Sequence, residues 1–391
     1  MPDHSADEQF LRRALHLASQ GIGLASPNPH VGAVIVSPHG EIVGTGLYTY
    51  QGVKHAEVLA LEQAGNKARG GTLYINLEPH SHQGRTPPCT DALIAAGIHR
   101  VVASMSDPNP RVSGRGFEKL RAAGVHVEVG RLEAEARALN EGFARYIRHG
   151  VPLVTLKAAM TLDGKIAPPP AAQLQRAAET HAGGWITGEI ARAHVHEQRH
   201  QSDAILVGVG TVLADDPLLT DRSGRLRRRP LLRVILDSHL RLPPGSRLVQ
   251  SARQGGTFND DVLVFCCCGE DAKKKELEAQ GVRVEQLSSA QTDHRPDIHA
   301  VLRRLGELEI TSVMIEGGAT VNGVALNSHI VDKVFLYYAP KILAADGSFP
   351  FASGTGMSQL EDAPHVKNLQ LHRFGEDFAV EGYLRDPYED C

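Results

Sequence analysis

The stretch from Lys54 to Gly97 holds His55, Glu57, His80 and Cys89, with a strand-like TLYINLEP between the two pairs. Two imidazoles and a thiol are donors that suit zinc. A carboxylate two residues from one of them can move protons without binding the metal. His55 and Cys89 each stand at the start of an expected helix, where free backbone N–H groups and the helix dipole favour thiolate over thiol. Thr86-Pro87-Pro88 sets the start of the second helix, because proline is tolerated in a first turn. His80 follows Glu78-Pro79 at a strand end, so three elements could deliver the three ligands His55, His80 and Cys89, leaving Glu57 as proton carrier. An isolated HAE or cysteine is ordinarily structural. Their conjunction with EPHSHQGRTPPC carries the metal reading.

The flanking sequence supplies elements to position these groups. Phe10, Leu11, Ala14, Leu15 and Leu17 recur at helical spacing over 7–20, and Gly21 and Gly23 end that helix. Ser26 to Pro29 reads as a turn, and Val31 to Val36 as a buried strand. Residues 40–47 read as its hairpin partner, broken at Gly44 and Gly46. A helix from His55 packs through Ala56, Leu59, Ala60 and Ala64. Strands at 72–77 and 101–105 alternate with helices at 91–96 and 117–123, which predicts an α/β sandwich.

At 391 residues the chain is long enough for two cores, and composition resets near residue 149 after a helix and turn over 130–152. A net charge of −4 gives no basic surface for nucleic acid or an anionic membrane. Three of the five cysteines are consecutive, Cys266 to Cys268, which makes no disulfide framework and points to a reducing compartment. The N-terminus is polar and acidic, and no run of about 18 apolar residues occurs. A cytoplasmic enzyme without a membrane span is expected.

In the second half, Leu153 to Lys157 reads as a strand. Pro168 and the alanine-rich polar segment up to residue 184 read as an exposed excursion. Residues 189–199 suit a helix. Asp203 to Val209 suits a strand running into a turn at Gly208, Gly210 and Thr211, and Val313 to Gly323 another strand with a glycine-rich turn. Such turns let backbone approach a phosphate or a nicotinamide ring. Arg225 and Arg227 to Arg229 read as a solvated basic loop. With no complete GxGxxG before a helix, an ordinary dinucleotide-binding fold is disfavoured.

Two sets of motifs resemble one family. PNPHVGAVIV, HAEVLAL and LEPHSHQGRTPPCTDALIAAG are similar to the deaminase half of the bifunctional RibD family of riboflavin biosynthesis. VTLKAAMTLDGKIA, WITG, DAILVGVGTVLADDPLLTDR, IEGGATVNG and YYAPKIL resemble its reductase half. The resemblance implies a cytidine-deaminase-like α/β/α sandwich over 1–149 and a dihydrofolate-reductase-like α/β domain over 150–391. It implies zinc on His55, His80 and Cys89, Glu57 as the proton shuttle, and Asn28, His82 and Arg85 around the pyrimidine substrate. It implies NADPH against Ala159, Trp185, Thr211, Asp215 and the loop Gly318, Ala319, Thr320, Val321, Asn322, Gly323 and Val324. Lys157, Gly183, Leu219, Arg222 and Glu316 would face a phosphoribosylaminopyrimidine, with Arg222 on its phosphate. Lys157 and Asp215 would stand near strand ends where hydride is transferred.

Three positions depart from the family pattern: His80 replaces a usual cysteine, Tyr48 a common histidine, and Gly183 a common serine. A homo-oligomer acting on a small molecule is expected. The competing readings are a reductase whose first half has lost zinc, and a first half serving only for binding or oligomerisation.

Overall fold

The computed structural model describes residues 4–84, 86–169, 184–254, 257–289, 295–354, 356 and 359–389. The excursion expected after Pro168 falls largely outside them, as do Arg85 and Gly183. The chain divides into two compact units: 1–150 together with Leu226–Arg229, and most of the remainder.

The first unit is built on five strands: β1 (Gly32–Val36), β2 (Ile42–Leu47), β3 (Thr72–Ile75), β4 (Arg100–Ala103) and β5 (His126–Val129). Their order is β2-β1-β3-β4-β5, with β1 antiparallel to both its neighbours and β3, β4 and β5 parallel. The helices are α1 (His4–Ser19), α2 (Ala56–Ala64), α3 (Cys89–Ala95), α4 (Arg115–Ala122) and α5 (Glu133–His149). All five residues of β1 are buried, as an interior strand covered on both faces requires. One core joins Ile35, Ile75 and Ala103 to α2, Leu93 and Phe117; another sets Leu11 and Ala14 of α1 against Val34, Tyr74 and Val102.

Gly44 and Gly46 do not break β2; they lie within it. A side chain at Gly46 would stand 1.9 Å from the Ala56 carbonyl oxygen, and one at Gly44 2.0 Å from that of Ala60. These two glycines make a flat seat on which the alanine face of α2 lies, and α2 is the helix that begins just after His55.

The second unit has a nine-stranded sheet. Its strands are β6 (Leu153–Thr161), β7 (Ala204–Gly208), β8 (Leu232–Leu236), β9 (Val262–Cys266), β10 (Arg283–Gln286), β11 (Ser312–Ile315), β12 (Lys333–Ala339), β13 (Lys367–Phe374) and β14 (Asp377–Tyr383). The order is β10-β9-β8-β7-β11-β6-β12-β14-β13, parallel except for the antiparallel pairings of β14 with β12 and β13. Around it lie α6 (Glu189–Gln201), α7 (Val209–Asp215), α8 (Asp271–Glu278), α9 (Ile298–Glu307) and α10 (Ala319–Asn327). Apolar strands such as β8 and β9 are buried, as a parallel sheet covered on both faces demands. Cys266 ends β9 inside this packing.

The two glycine-rich turns expected after β7 and β11 are helix starts instead: α7 begins at Val209 and α10 at Ala319. Gly208 and Gly318 are extended N-caps, and the first backbone N–H groups of each helix have no acceptor within the helix.

Candidate active sites

His55 is the N-cap of α2, Cys89 opens α3, and His80 follows β3, which brings their ligand atoms within 4.8 Å of one another. The His55 and His80 ring centroids are 4.4 Å apart. His80 is tied to α3 because Thr90 N–H donates to the His80 carbonyl at 3.3 Å. The strand end before it is fixed by Glu78, whose carboxylate accepts N–H groups from Asp107, Gly114 and Gly116 at 2.8–3.0 Å.

The side chains bear out a need for a cation. His80 Nδ1 is buried without a hydrogen-bond partner among the described residues. Burial holds the His80 imidazole down at about 4, helped by the charges of His55 and His82, so it is a neutral donor. Burial lifts the Glu57 carboxyl above the usual range, and the Cys89 thiol donates to it; burial and that carboxylate also push the thiol up. Two half-buried imidazoles beside a buried thiol and carboxyl are a site that fits zinc, which would favour the thiolate. Glu57 is 3% exposed.

Tyr48, in place of histidine, presents its ring edge to His55 at 5.5 Å between centroids, and its hydroxyl accepts from Asn28 Nδ2 at 2.5 Å. Asn28 is thereby joined to the cluster, on the turn that holds the cis Ser26–Pro27 bond. His82 is exposed, 5.5 Å from the His80 ring.

The second unit gathers a different set. Glu316, just past β11, accepts from Arg199 Nε at 2.7 Å and Arg199 Nη2 at 3.1 Å, and lies 3.4 Å from Lys157 Nζ. Burial alone would raise the Glu316 carboxyl, but Lys157 and Arg199 outweigh it and hold it at about 2. Lys157 is not at a strand end: it lies within β6, paired with Phe335 of β12. Asp215 closes α7 and is exposed there, since the segment after β7 is helix rather than turn.

Arg199 is the residue that sequence reading missed, although the helix it ends was expected. Its Nη1 also donates to the Thr220 carbonyl at 3.1 Å, and the adjacent buried His200 contacts Asp221 Oδ2 at 2.9 Å. Two consecutive residues of α6 thus pin the segment that carries Leu219, at φ +55°, and the exposed Arg222. The legible signal was the pair Arg199 and His200 in the last turn of α6, facing a loop with its own carboxylate.

Thr211 and Gly318 come together: a side chain at Gly318 would meet Thr211 Oγ1 at 3.8 Å. Ala319, Thr320, Val321, Asn322, Gly323 and Val324 form the first turns of α10, with Asn322 buried and donating to the Phe351 carbonyl at 2.8 Å. Ala159 is in β6, two residues from Lys157. Trp185 is 68% exposed, with Arg192 over its ring at 4.9 Å, and Lys341 Nζ donates to its carbonyl at 3.0 Å.

The basic run divides. Arg222 and Arg225 are exposed, whereas Arg227, Arg228 and Arg229 are half-buried and pack with the first unit. Arg228 N–H donates to the Gly23 carbonyl at 2.8 Å, and its guanidinium lies 3.7 Å from the Tyr50 ring centroid. The aromatic ring and the free carbonyl explain why these arginines leave solvent.

Comparison with known proteins places both halves. Residues 152–380 match the model of the RibD C-terminal domain, and 4–105 that of the cytidine and deoxycytidylate deaminase zinc-binding region. The riboflavin biosynthesis protein RibD of Actinobacillus pleuropneumoniae is 41% identical over 97% of this chain and 96% of its own length. That of Escherichia coli K12 is 40% identical over 96% and 98%. The Acinetobacter baumannii RibD structure aligns with a TM-score of 0.81 at 32% identity, covering 97% of this chain and 99% of that one. A Thermotoga maritima diaminohydroxyphosphoribosylaminopyrimidine deaminase/5-amino-6-(5-phosphoribosylamino)uracil reductase aligns at 0.76 and 37% identity, covering 97% and 99%. The five-stranded unit is therefore cytidine-deaminase-like and the nine-stranded one a reductase domain of dihydrofolate-reductase type. Full-length identity at this level, with both domains in the same order, means that the chain belongs to the RibD family of bifunctional deaminase–reductases in riboflavin biosynthesis.

Proposed function

We propose that the first unit hydrolytically deaminates 2,5-diamino-6-(5-phosphoribosylamino)pyrimidin-4(3H)-one to 5-amino-6-(5-phosphoribosylamino)uracil, and that the second reduces the ribosyl group to ribityl with NADPH. The observation that carries the first half is the convergence of His55, His80 and Cys89, with Glu57 buried in contact with Cys89. A zinc ion held by those three side chains supplies Lewis-acid activation of water. Glu57, whose buried carboxyl lies against Cys89, would carry a proton from the attacking water to the departing amine. Asn28, fixed by Tyr48, orients the ring, and His82, exposed beside His80, meets the substrate. Nothing favours a reductase acting alone, because each member of the catalytic set is present.

In the second half, Glu316 and Lys157 hold the substrate's polar groups beside the nicotinamide, and Arg222 takes its phosphate. NADPH, when bound, would supply the hydride for reduction at the sugar C1′. Thr211, Asp215, Ala159, Trp185 and the start of α10 from Gly318 to Val324 form the cofactor's bed, where extended backbone at Gly318 lets a phosphate approach the helix N-terminus. A cytoplasmic homo-oligomer is the proposed state; no described helix is long and apolar enough to cross a membrane.

The deciding experiment is ammonia release by wild type and by Glu57→Gln, alongside NADPH oxidation. Loss of ammonia release in the variant by about 100-fold or more, with NADPH oxidation intact, is expected. Equal ammonia release from both proteins would make the first unit a non-catalytic module.

A further inference from the structure

We propose that Lys341 is a positioning residue of the reductase: its ammonium fixes the loop that carries Trp185, so that the indole is set in place before NADPH binds. The inference rests on the reading of Trp185 as part of the cofactor's bed and names the group that holds it there.

Residues 184–188 belong to no strand or helix, yet the backbone from Trp185 to Gly188 is held at every residue by a side chain. Lys341 Nζ donates to the Trp185 carbonyl at 3.0 Å and to the Ile186 carbonyl at 2.7 Å. Arg192 Nη1 donates to the Thr187 carbonyl at 2.7 Å, and Gly188 N–H donates to Asp377 Oδ2 at 2.7 Å. Lys341 is fixed in its turn. It stands just beyond β12, and Leu162 N–H donates to its carbonyl at 2.8 Å. The Asp163 carboxylate accepts N–H groups from Leu343 and Ala344 at 3.1 and 2.9 Å. Leu162 and Asp163 directly follow β6, the strand of Lys157 and Ala159. One ammonium thus ties the backbone of Trp185 to the ends of β6 and β12.

Two features make this more than a loop fastening. The indole of the chain's only tryptophan is 68% exposed, although the backbone beneath it is held so closely. A large flat ring kept in solvent on an ordered backbone is a surface prepared for a ligand, because the loop need not be ordered during binding. Lys341, for its part, pairs with no carboxylate among the described residues, so its ammonium is committed to those two carbonyls. Arg192 lies over the indole itself and Asp377 holds the N-cap of α6, so removing either disturbs more than the backbone at Trp185. Removing the Lys341 ammonium frees that backbone alone.

The test uses the full-length chain, in which tryptophan fluorescence reports on this loop only. Lys341→Met should raise KM for NADPH by about tenfold and leave kcat at saturating NADPH within about twofold. Trp185 fluorescence anisotropy should fall in the NADPH-free protein, and Kd for NADPH, read from quenching of that fluorescence, should rise with KM. Lys341→Arg should recover part of both effects, since a guanidinium can also donate to two carbonyls. Ammonia release should keep its wild-type rate. If Lys341→Met lowers the melting temperature, Lys341→Gln, which retains an N–H donor without the charge, replaces it and should show a smaller rise in KM. Unchanged KM and anisotropy, or a fall in kcat with KM unchanged, would overturn the positioning role. Trp185→Leu separates the two possible failures. If it leaves KM for NADPH unchanged, the cofactor reading of Trp185 falls together with the inference; if it raises KM while Lys341→Met does not, the inference alone falls.

Discussion

Imidazole in place of thiolate at position 80 removes one negative charge from the ligand set while keeping a donor of suitable reach. The buried, unpartnered Nδ1 of His80 marks the cost of leaving that donor without a cation. His80→Ala should therefore lose zinc, measured as metal per chain, from about one to near zero. His80→Cys should keep it, with Zn–S replacing Zn–N; zinc loss in the cysteine variant would show that the pocket has adapted to the ring. Arg199 offers a second test at this scale. Its two hydrogen bonds to Glu316 and its bond to the Thr220 carbonyl order the segment that presents Arg222. Arg199→Ala should reduce kcat/KM for NADPH-dependent reduction by about 10- to 100-fold and leave ammonia release unchanged. Arg199→Lys should not restore it, since a single ammonium cannot make the paired contacts. The convergence of His55, His80 and Cys89 was legible because their chemistry is written in residue type and spacing. Arg199 was not, because its partner Glu316 lies more than a hundred positions away and only the sheet brings them together.

Among the elements, α2 shows how packing rather than a motif places a catalytic group. Ala56 and Ala60 rest directly on Gly46 and Gly44, so helix and hairpin approach closely enough to hold Glu57 against Cys89. Read linearly, two glycines in six residues look like strand breakers. In the sheet they are strand residues whose missing side chains admit a helix. Gly46→Val should push α2 outward, since a side chain there meets the Ala56 carbonyl oxygen at 1.9 Å. The expected result is loss of about 2 kcal/mol or more in unfolding free energy of the first unit, with ammonia release falling and NADPH oxidation retained. Retained ammonia release and an unchanged denaturant midpoint would show that the hairpin yields at no cost. The same linear ambiguity explains α7 and α10. Gly208 to Thr211 and Gly317 to Gly323 have the composition of turns, and periodicity cannot register a helix that starts on glycine and is only seven or nine residues long.

At the scale of the whole chain, two activities on two separately built cores let a stability change in one be read against the other. The first unit contains a pin that joins four elements. Asp7 of α1 accepts from Arg100 Nη1 at 2.8 Å and Nη2 at 2.7 Å, and from the Tyr74 hydroxyl of β3 at 2.7 Å. Arg100 of β4 also donates through Nε to Glu128 of β5 at 2.9 Å. Asp7 is 3% exposed, so removing its charge takes the bidentate partner from a half-buried guanidinium and leaves it Glu128 alone. The Arg100 hydrogen bonds hold the Asp7 carboxyl below its ordinary value against the opposing effect of burial. A depressed carboxyl contributes stability that is complete above its unfolded value, near 3.9, and is lost as pH falls through the folded one. Asp7→Asn should accordingly cost about 3 kcal/mol at pH 7, lowering the temperature at which ammonia release is inactivated. NADPH oxidation, housed in the other unit, should inactivate at its wild-type temperature. The gap between wild type and variant should be constant from pH 7 to about pH 5 and shrink below about pH 4, as the wild-type carboxylate takes up its proton. A gap that widens on acidification would mean that Asp7 is protonated in the folded chain and that the pin is a neutral hydrogen bond.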